Sequence, residues 1–341
     1  MILVVGGAGY IGSHMLNLLR ASNEPHLAFD NLESGHAEAL QGTKLIQGDI
    51  RDPADLDRTF EEFPSIDVVI DFAAYISVGE SVRLPNKYYR NNSFGTLNLL
   101  DSMDRHGVRC IVFSSTAAVY GSPQYVPLDE SHPLLPLSPY GWSKLIVEQM
   151  LNDLEAPRGL RSVCLRYFNA AGSEPEGDLG EDHEPEEHLI PNALLTAIGK
   201  KSSLKVFGSD YATVDGTCVR DYIHVEDLVS AHLLAVRHLR AGGESRRYNL
   251  GNGKGFSVKQ VINTAERVIG KPIPHEYADR RAGDSPELIA DSSNIQRDWG
   301  WVPKYPELEE IVRHAWQWRE RHPDGYGDSS KMSRFDDAES N

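Results

Sequence analysis

Two residues four positions apart, Tyr140 and Lys144, are the first candidates for chemistry in this chain. Residues at positions i and i+4 of a helix lie on one face, so a helix here would place the lysine ammonium beside the tyrosine phenol. A neighbouring positive charge favours the phenolate and lets tyrosine act as a base below its usual pKa of about 10. By itself a Tyr-x-x-x-Lys match is common by chance, and Tyr140 is equally consistent with an aromatic residue on a helix surface.

Hydroxyl side chains in an earlier segment support the chemical interpretation. A predicted strand at 110–113 runs into Ser114, Ser115 and Thr116. Ligands bind at the carboxyl ends of strands in open α/β sheets, where a hydroxyl can hydrogen-bond a reacting alcohol. Thr116 alone is more typical of a hydroxyl that bonds to the backbone. Together with Tyr140 and Lys144 it indicates proton transfer to and from an alcohol.

A glycine-rich segment near the first residue predicts a dinucleotide site. A predicted strand at Ile2–Val5 leads into Gly6, Gly9 and Gly12, and a helical pattern follows. Glycines at this spacing permit a tight turn and let backbone N–H groups approach a pyrophosphate at the positive end of the helix. Asp30 ends the next predicted strand, 18 residues after Gly12. Its carboxylate can accept bonds from ribose hydroxyls and would repel a 2′-phosphate, which favours NAD over NADP and predicts hydride chemistry.

Short apolar runs alternate with amphipathic segments through the first half of the chain, which indicates a parallel sheet with helices on both faces. Strands are predicted at 2–5, 27–29, 44–46, 68–71, 110–113 and 162–165. Helices are predicted near 11–21, 53–63, 85–106 and 139–155. The predicted fold is α/β, with a Rossmann-type doubly wound parallel sheet that forms an NAD-binding domain over residues 1–168.

The pattern changes after about residue 168 and predicts a smaller, interleaved C-terminal α/β lobe. Residues 173–187 are rich in Gly, Pro and acids, which predicts a solvated loop. Further elements are a strand near 204–207 and helices near 189–199, 225–240, 257–269 and 305–321. We expect segments around 225–250 to return to the first sheet. We expect a substrate lobe over 169–325 and a flexible tail over 326–341.

Composition limits the classes of partner. The chain has 341 residues, of which 40% are hydrophobic and 25% charged, as in a globular protein with a sizeable core. The formal net charge of -16 disfavours binding to nucleic acid or to anionic membranes. The three cysteines, Cys110, Cys164 and Cys218, lack metal-binding spacing and indicate a reducing compartment with no bound metal. No segment approaches the roughly 20 apolar residues of a membrane span, and no basic leader precedes the first strand, so we expect a cytoplasmic protein.

Several motifs in a fixed order resemble the extended short-chain dehydrogenase/reductase superfamily. They are Gly-Gly-Ala-Gly-Tyr-Ile-Gly-Ser-His (6–14), Val-Gly-Glu-Ser-Val (78–82), Ser-Ser-Thr-Ala-Ala-Val-Tyr-Gly (114–121), Ser-Pro-Tyr-Gly-Trp-Ser-Lys (138–144), Arg-Tyr-Phe-Asn (166–169) and Val-Arg-Asp-Tyr-Ile-His-Val (219–225). With Arg-Ala-Gly-Asp (281–284) and His-Pro-Asp-Gly-Tyr (322–326), the set resembles the family of UDP-glucose 4-epimerases. The resemblance implies an isomerase with tightly bound NAD that interconverts UDP-glucose and UDP-galactose through a transient 4-keto sugar. It also implies a homodimer formed through the helices near 85–106 and 139–155.

The resemblance further implies roles for individual residues. The catalytic set would be Thr116, Tyr140 and Lys144. Residues that would line the NAD site, besides these three, are Gly6, Gly9, Tyr10, Ile11, Gly12, Asp30, Asn31, Asp49, Ile50, Phe72, Ala73, Ala74, Asn91 and Phe168. Residues that would hold the UDP-sugar are Asn169, His188, Leu189, Phe207, Arg220, Arg281, Asp284 and Leu288.

Charge alone also favours the two arginines in that set. A diphosphate needs localised positive charge in an acidic protein, and arginine binds phosphate through two parallel bonds. Arg220, however, precedes Asp221 in the sequence and is equally consistent with a structural ion pair between the two.

Three positions depart from the family pattern. Ile76 stands where many members carry lysine, so one cationic contact is missing. His188 stands where asparagine is often found in the uridine-nucleotide pocket, and it is also consistent with an ordinary loop histidine. Leu288 lies where the residue helps to set the room around the sugar 2-substituent, and leucine leaves open whether N-acetylated sugars or pentoses are accepted.

Other functions use the same fold and the same tyrosine and lysine. Nucleotide-sugar dehydratases carry carboxylates directly after the threonine, and related decarboxylases need an acid at position 118. Ala117 and Ala118 occupy these positions here, which argues against both reactions. A non-catalytic NAD-sensing module usually lacks the tyrosine or the lysine, and both are present. The sequence therefore favours 4-epimerisation of a UDP-sugar and leaves the sugar open.

Overall fold

A seven-stranded parallel sheet is the centre of the computed structural model, which describes residues 1–281 and 284–327. The strands of the chain are β1 (Ile2–Val5), β2 (His26–Asp30), β3 (Leu45–Gln47), β4 (Val68–Asp71), β5 (Cys110–Thr116), β6 (Arg161–Tyr167), β7 (Asn169–Ala171), β8 (Leu204–Phe207), β9 (Val219–His224), β10 (Arg246–Leu250), β11 (Gly255–Ser257), β12 (His275–Ala278) and β13 (Glu287–Leu288). The sheet order is β10-β6-β5-β4-β1-β2-β3. The chain progresses outward in opposite directions from β1 and from β4, and ligands of doubly wound sheets bind at such a reversal. The predicted fold class is confirmed.

Helices α1, α2, α5, α6 and α8 cover the two faces of this sheet. The helices of the described residues are α1 (Tyr10–Ala21), α2 (Pro53–Glu62), α3 (Val78–Arg83), α4 (Pro85–Tyr88), α5 (Thr96–Arg105), α6 (Pro139–Arg158), α7 (Leu189–Ala197), α8 (Val225–Arg240), α9 (Val258–Ile269), α10 (Ser293–Trp299) and α11 (Leu308–Arg321). Alternate residues of a strand point to opposite faces. Accordingly Ile2 and Val4 pack with α1 and α8, whereas Leu3 and Val5 pack with α2, α5 and α6.

The prediction of one regular helix over 85–106 is wrong in its middle. A π-helical segment, Tyr89–Gly95, separates α4 from α5. The wider turn points polar side chains at α6: Asn92 Nδ2 donates to Ser143 Oγ at 3.1 Å and Ser93 Oγ donates to the Ser143 carbonyl at 3.0 Å. Such turns are often found at functional sites. Periodicity does not reveal this segment, because tertiary hydrogen bonds rather than local preference stabilise it.

The C-terminal half forms a second layer of structure beside the sheet. Strands β7, β9, β11 and β13 make a small mixed sheet, and β8 pairs with β12. Helices α7, α9 and α11 pack together over a separate apolar cluster. The sequence did not predict most of these strands, because they are short and polar. In β9, for example, the buried Asp221 accepts bonds from the backbone N–H groups of Asn252, Gly253 and Ala290.

The predicted loop at 173–187 differs from expectation, and most of the predicted tail at 326–341 lies outside the described residues. Residues 173–187 contain no helix or strand, but they are not simply solvated, because Leu179 and Glu181 are buried. Gly180 packs so closely on α11 that a Cβ there would lie 2.2 Å from Trp318 Cδ2. Most of the expected tail, residues 328–341, lies outside the described residues. Within the described ranges, no helix has both the length and the apolar character needed to cross a membrane.

A buried ion pair fixes α6 to the central sheet. Arg166 on β6 donates to Glu148 on α6 through Nε at 2.9 Å and through Nη2 at 2.6 Å, and both side chains are 2% exposed. Ser115 Oγ on β5 donates to the same carboxylate at 2.5 Å. Arg166 Nη1 also donates to Tyr120 Oη at 3.0 Å. These bonds join α6 to two strands in a region without water to replace them.

We expect the Glu148→Gln substitution to lower the free energy of unfolding by about 3–5 kcal/mol, because it leaves the buried Arg166 charge without its partner. Urea denaturation followed by circular dichroism measures the change. Glu62→Gln is the control, since Glu62 pairs with Lys44 at 3.2 Å where both side chains are more than half exposed, and its loss should stay under about 1 kcal/mol. Equal losses in the two variants would contradict this account of the pair.

Candidate active site

The glycine-rich turn between β1 and α1 leaves its backbone open at the carboxyl edge of the sheet. A Cβ at Gly12 would lie 2.1 Å from the Gly6 carbonyl oxygen, and a Cβ at Gly6 would lie 2.8 Å from the Ala73 nitrogen. Gly9 precedes α1 without a side-chain cap, and the first turn of α1 carries no acid. The first N–H groups of a helix lack intrahelical partners and attract anions. The turn therefore fits a pyrophosphate, as the sequence predicts.

Asp30 lies next to this turn at the end of β2. Its carboxylate accepts bonds from the backbone N–H groups of Ala8 at 2.9 Å and Leu32 at 2.8 Å. Burial raises the pKa of Asp30, and these two bonds oppose the rise. A carboxylate offers about four lone pairs, so two protein donors leave capacity for ribose hydroxyls.

A second group of predicted cofactor residues follows β3. Asn31 Nδ2 donates to Asp49 Oδ2 at 3.0 Å, and Arg51 forms an ion pair with the same oxygen at 2.5 Å. The bonds from Arg51 hold the pKa of Asp49 at about 2. Ile50 packs against Gly95 of the π-helical segment, where a Cβ would lie 2.7 Å from Ile50 Cδ1.

The segment after β4 brings the remaining predicted cofactor residues to the same edge. The Ala73 N–H donates to Asp71 Oδ1 at 3.1 Å, and the Phe72 ring lies 4.8 Å from the His232 ring. Ala74 follows directly. Asn91 is buried on the π-helical segment and donates to Asn92 Oδ1 at 3.0 Å. Because β4, β1 and β2 are parallel neighbours in the sheet, their carboxyl ends bring the glycine turn, the end of β2 and this segment to one edge.

The start of α6 carries the predicted base and its lysine. Ser138 caps the helix by accepting a bond from the Gly141 N–H at 3.2 Å, and Pro139 occupies the first turn. Tyr140 and Lys144 are 9% and 3% exposed. Lys144 Nζ donates to the Ser114 carbonyl oxygen at 2.9 Å. The helix therefore anchors both side chains at the end of β5, which also ends in Thr116.

The electrostatics of this pair differ from the sequence-based expectation. Burial raises the pKa of Tyr140, and the Thr116 hydroxyl opposes the rise. Burial lowers the pKa of Lys144 to about 8, although the Asp71 carboxylate opposes the fall. The expected lowering of the Tyr140 pKa is therefore not found in the chain by itself, because desolvation of the phenolate outweighs the hydrogen bond with Thr116. Lys144 still carries its proton in most molecules at pH 7.

Sequence reasoning missed several residues that complete the site. Asp71 at the end of β4 is fully buried, accepts a bond from Thr96 Oγ1 at 3.1 Å and acts electrostatically on Lys144. The hydroxyls of Ser114 and Tyr167 bond to each other beneath Tyr140. Asp71 and Tyr167 both end central strands, and this position could have identified them as site residues from the sequence. No sequence pattern identified Asn92, which contacts α6.

The first predicted substrate arginine, Arg220, does not pair with its neighbour Asp221. Arg220 Nη2 donates to Asp284 Oδ1 at 2.8 Å and Nη1 donates to the Ser285 carbonyl at 2.9 Å. The alternative of an ion pair with Asp221 is wrong, since that carboxylate bonds to backbone N–H groups of other loops. Burial raises the pKa of Asp221 to about 6.

The other predicted substrate residues fall into smaller groups. The Arg281 guanidinium lies 4.0 Å from the centre of the Phe207 ring. Asn169 Nδ2 donates to the Asp221 carbonyl at 2.8 Å, one residue from Arg220. Phe168 and Leu288 pack against one small apolar cluster with Tyr120 and Leu128. These contacts join the end of β6 to β9 and β13.

The last predicted substrate residues lie at the start of α7. His188 stands at the N-cap position of that helix without a side-chain cap hydrogen bond, and its Nδ1 instead pairs with the Glu181 carboxylate at 2.5 Å. Leu189 is the first residue of α7 and is partly buried. Ile76, where the family often has lysine, is 43% exposed.

Comparisons with known proteins agree with this geometry. Residues 2–251 match the model of the NAD dependent epimerase/dehydratase family. A UDP-glucose 4-epimerase from Halalkalibacterium halodurans is 54% identical over 330 residues, which cover 97% of this chain and 98% of that protein. The structure of UDP-glucose 4-epimerase from Brucella ovis in complex with NAD has a TM-score of 0.90 and 46% identity, and the match covers 92% of this chain and 97% of that one. The structure of the Bifidobacterium longum enzyme in complex with NAD+ and UDP has a TM-score of 0.90 and 39% identity, and covers 95% of this chain and 99% of that one.

We expect Gly12→Ala to abolish retention of a dinucleotide by the purified chain, because its Cβ would clash with the Gly6 carbonyl at 2.1 Å and displace the turn. Denaturation of the protein followed by chromatography of the released nucleotide measures retention. Gly79→Ala is the control, since no atom lies within 4 Å of a Cβ there. Retention by Gly12→Ala at the level of the control would contradict the assignment of the turn.

Proposed function

This chain belongs to the NAD dependent epimerase/dehydratase family, and on that premise we propose that it binds NAD and interconverts UDP-glucose and UDP-galactose by inverting carbon 4 of the sugar. The observation that carries the proposal is the meeting of Thr116, Tyr140 and Lys144 at the end of β5, at the same edge of the sheet as the glycine turn. Proton transfer at an alcohol and dinucleotide binding are both needed for this reaction, and the chain supplies both at one edge.

NAD, when bound by the glycine turn and Asp30, supplies reversible removal and return of the hydrogen on sugar carbon 4. The residues of the chain handle the proton. Tyr140 accepts the proton of the sugar 4-hydroxyl and later returns it, while Thr116 orients that hydroxyl and shares the proton path. Because burial raises the Tyr140 pKa, formation of the phenolate requires positive charge nearby. Protonated Lys144, held by the Ser114 carbonyl, provides part of that charge.

The diphosphate of the substrate is bound by Arg220 and Arg281. Both guanidinium groups lie in the C-terminal layer, where Arg220 is 12% exposed and already held by Asp284. Arginine can hold a diphosphate oxygen through paired bonds while the sugar remains free to turn. This allows the 4-keto sugar to present its other face without leaving the site, which explains how one base serves both directions of the reaction.

The small cluster around Leu288 bears on the choice of sugar. Leu288 packs against the same apolar cluster as Phe168, the residue that the family resemblance places near the nicotinamide. A leucine wall discriminates a small change of fit by only about 1–3 kcal/mol. UDP-glucose and UDP-galactose are therefore the better substrates, and N-acetylated analogues are tolerated to some extent.

Elimination of water, the runner-up reaction, does not suit this site. Thr116 Oγ1 accepts a bond from the Ala118 N–H at 3.2 Å and so caps a short turn over Ala117–Val119. The turn carries alanines where an eliminating enzyme needs carboxylates. The observation favours epimerisation over dehydration.

Two lobes divide the work, a cofactor lobe over 1–168 with the returning segment 225–250 and a substrate lobe over the rest of 169–325. Strand β10 of the returning segment lies beside β6 in the central sheet.

The chain works in the cytoplasm. Cys110, Cys164 and Cys218 are all free thiols, as is usual in a reducing compartment.

The chain forms a homodimer through α3, the π-helical segment and α6. These elements contact one another and expose large apolar side chains, namely Val78, Val82, Leu84, Phe94 and Trp142. Exposed apolar patches mark interaction surfaces, and a two-fold interface of identical patches is the commonest arrangement.

We expect Tyr140→Phe to keep its NAD but to lose about 10²–10⁴-fold in turnover of UDP-galactose, because the substitution removes only the group that carries the proton. A coupled assay of UDP-glucose formation measures turnover, and a panel of UDP-glucose, UDP-galactose, their N-acetylated forms and UDP-pentoses gives the preference. Tyr277→Phe is the control, since Tyr277 is 50% exposed, and it should react as the unaltered chain does. Normal turnover of Tyr140→Phe would exclude Tyr140 as the base. Absence of 4-epimerisation across the panel would exclude the function.

Light scattering of the purified chain at micromolar concentration should give the mass of a dimer. Val82→Asp places a charge on a side chain that is 63% exposed in this patch, and burial of an unpaired charge is costly, so the variant should shift towards the monomer. Val302→Asp, at a valine that is 74% exposed between α10 and α11, should leave the mass unchanged. A monomer mass for the unaltered chain would rule out the dimer.

A further inference from the structure

Four side chains that can bind metal ions converge just before α7. They are Glu181, His183, Glu186 and His188, and one ligand atom of each lies within 4.8 Å of all the others. Glu181 Oε1 lies 3.2 Å from His183 Nδ1 and 2.5 Å from His188 Nδ1, and the Glu186 carboxylate oxygens lie 3.7 and 3.6 Å from the same two nitrogens. Four ligands at zinc distances of about 2.0–2.2 Å in a tetrahedron lie about 3.3–3.6 Å from one another. The separations of 3.2, 3.6 and 3.7 Å are close to that spacing, whereas the 2.5 Å contact between Glu181 and His188 would have to lengthen for both side chains to bind one ion.

Two atoms of the cluster are buried without a hydrogen bond. His183 Nδ1 and Glu186 Oε2 have no hydrogen-bond partner, and the Glu186 side chain is only 3% exposed. A buried polar atom without a partner destabilises the folded chain, and such an atom in a native protein calls for a cause such as an ion. The two atoms lie 3.7 Å from each other, and the Glu181 carboxylate lies 3.2 Å from His183 Nδ1, so one cation between the four side chains would contact both atoms.

We propose that Glu181, His183, Glu186 and His188 bind one divalent transition-metal ion of the zinc class. Imidazole nitrogens with carboxylates suit zinc and its first-row neighbours, whereas calcium and magnesium prefer oxygen ligands alone. The site goes beyond the proposed epimerisation, and it goes beyond the sequence-based expectation that the chain holds no metal.

The position of the cluster gives the ion a structural role. Arg319 Nη2 on α11 donates to the Glu181 carbonyl at 3.1 Å, and the Tyr10 ring of α1 lies 6.3 Å from the His183 ring. His188 stands at the N-cap position of α7, which begins with Leu189. The ion would thus hold the long segment between β7 and α7 against the start of the cofactor helix. It lies outside the set formed by Thr116, Tyr140 and Lys144 and would position the substrate lobe rather than react.

Metal binding by the full chain tests this proposal. Protein treated with a chelator and then dialysed should bind one zinc ion per chain in a calorimetric titration. In the double variant His183→Gln/Glu186→Gln the affinity should fall by at least about 100-fold, the upper end of losses for groups that merely support metal ligands. Glu184→Gln, an exposed glutamate in the same segment, is the matched control and should bind as the unaltered chain does. No saturable binding to the unaltered chain, or equal binding by the double variant, would overturn the proposal.

Cobalt(II) gives a second readout on the unaltered chain and does not depend on how the variant folds. Bound in a tetrahedral site, cobalt(II) absorbs visible light far more strongly than the octahedral hydrated ion does. We expect that absorption to appear with one equivalent of cobalt and to disappear with one equivalent of zinc. A spectrum equal to that of hydrated cobalt would mean that the cluster is only a set of protonated histidines paired with glutamates. Neither measurement uses NAD or a UDP-sugar, so its failure leaves the proposed function intact.

Discussion

The buried pair between Glu148 and Arg166 is the interaction on which the position of the candidate base depends. It joins the middle of α6 to β6, and Ser115 adds a bond from β5. Tyr140 lies about two turns, and Lys144 about one turn, before Glu148 on the same helix. Because a helix is stiff over this distance, a pair that fixes its middle also fixes where the phenol and the ammonium meet the ends of the strands. The cost of desolvating the two charges is met by an unusually complete set of hydrogen bonds.

The same low-dielectric region that orders α6 also sets the chemistry of its side chains. Burial raises the pKa of Tyr140 and lowers that of Lys144 to about 8, so both groups are pushed towards their neutral forms. Asp71 works against this for the lysine, and Thr116 works against it for the tyrosine. The chain by itself therefore keeps the base protonated at neutral pH. A ligand that brings positive charge beside Tyr140 would favour the phenolate, which would couple proton transfer to occupation of the site.

A chain with a net charge of -16 binds an anionic substrate only where positive charge is concentrated. In the proposed function Arg220 and Arg281 provide this charge in the C-terminal layer, and each is held by a neighbour: Asp284 for one and the ring of Phe207 for the other. Such contacts restrict the guanidinium groups before a ligand arrives and reduce the entropy that binding must remove. In the proposed cofactor site the glycine turn would bind the pyrophosphate through backbone N–H groups. These groups carry no net charge, so they do not change the net charge of the chain.

The sequence by itself determined those features that local pattern or residue type controls. Alternation of apolar runs predicted the central sheet, the glycine spacing predicted the turn before α1, and the four-residue spacing of Tyr140 and Lys144 placed both on one helix. The order of the motifs along the chain indicated the family to which it belongs. These signals are readable because each depends on neighbours along the chain or on a backbone requirement of one residue type.

Only the tertiary structure decided which distant groups meet. It placed Asp71 near Lys144, paired Arg220 with Asp284 instead of the adjacent Asp221, and put a π-helical segment where periodicity predicted a regular helix. It also gathered two histidines and two glutamates in a segment that composition described as a solvated loop. In each case the deciding contribution is desolvation or packing against an element that is distant in sequence, as where Arg319 of α11 binds the Glu181 carbonyl. Desolvation and tertiary hydrogen bonds produce no periodic pattern in the sequence, because both depend on which elements pack together.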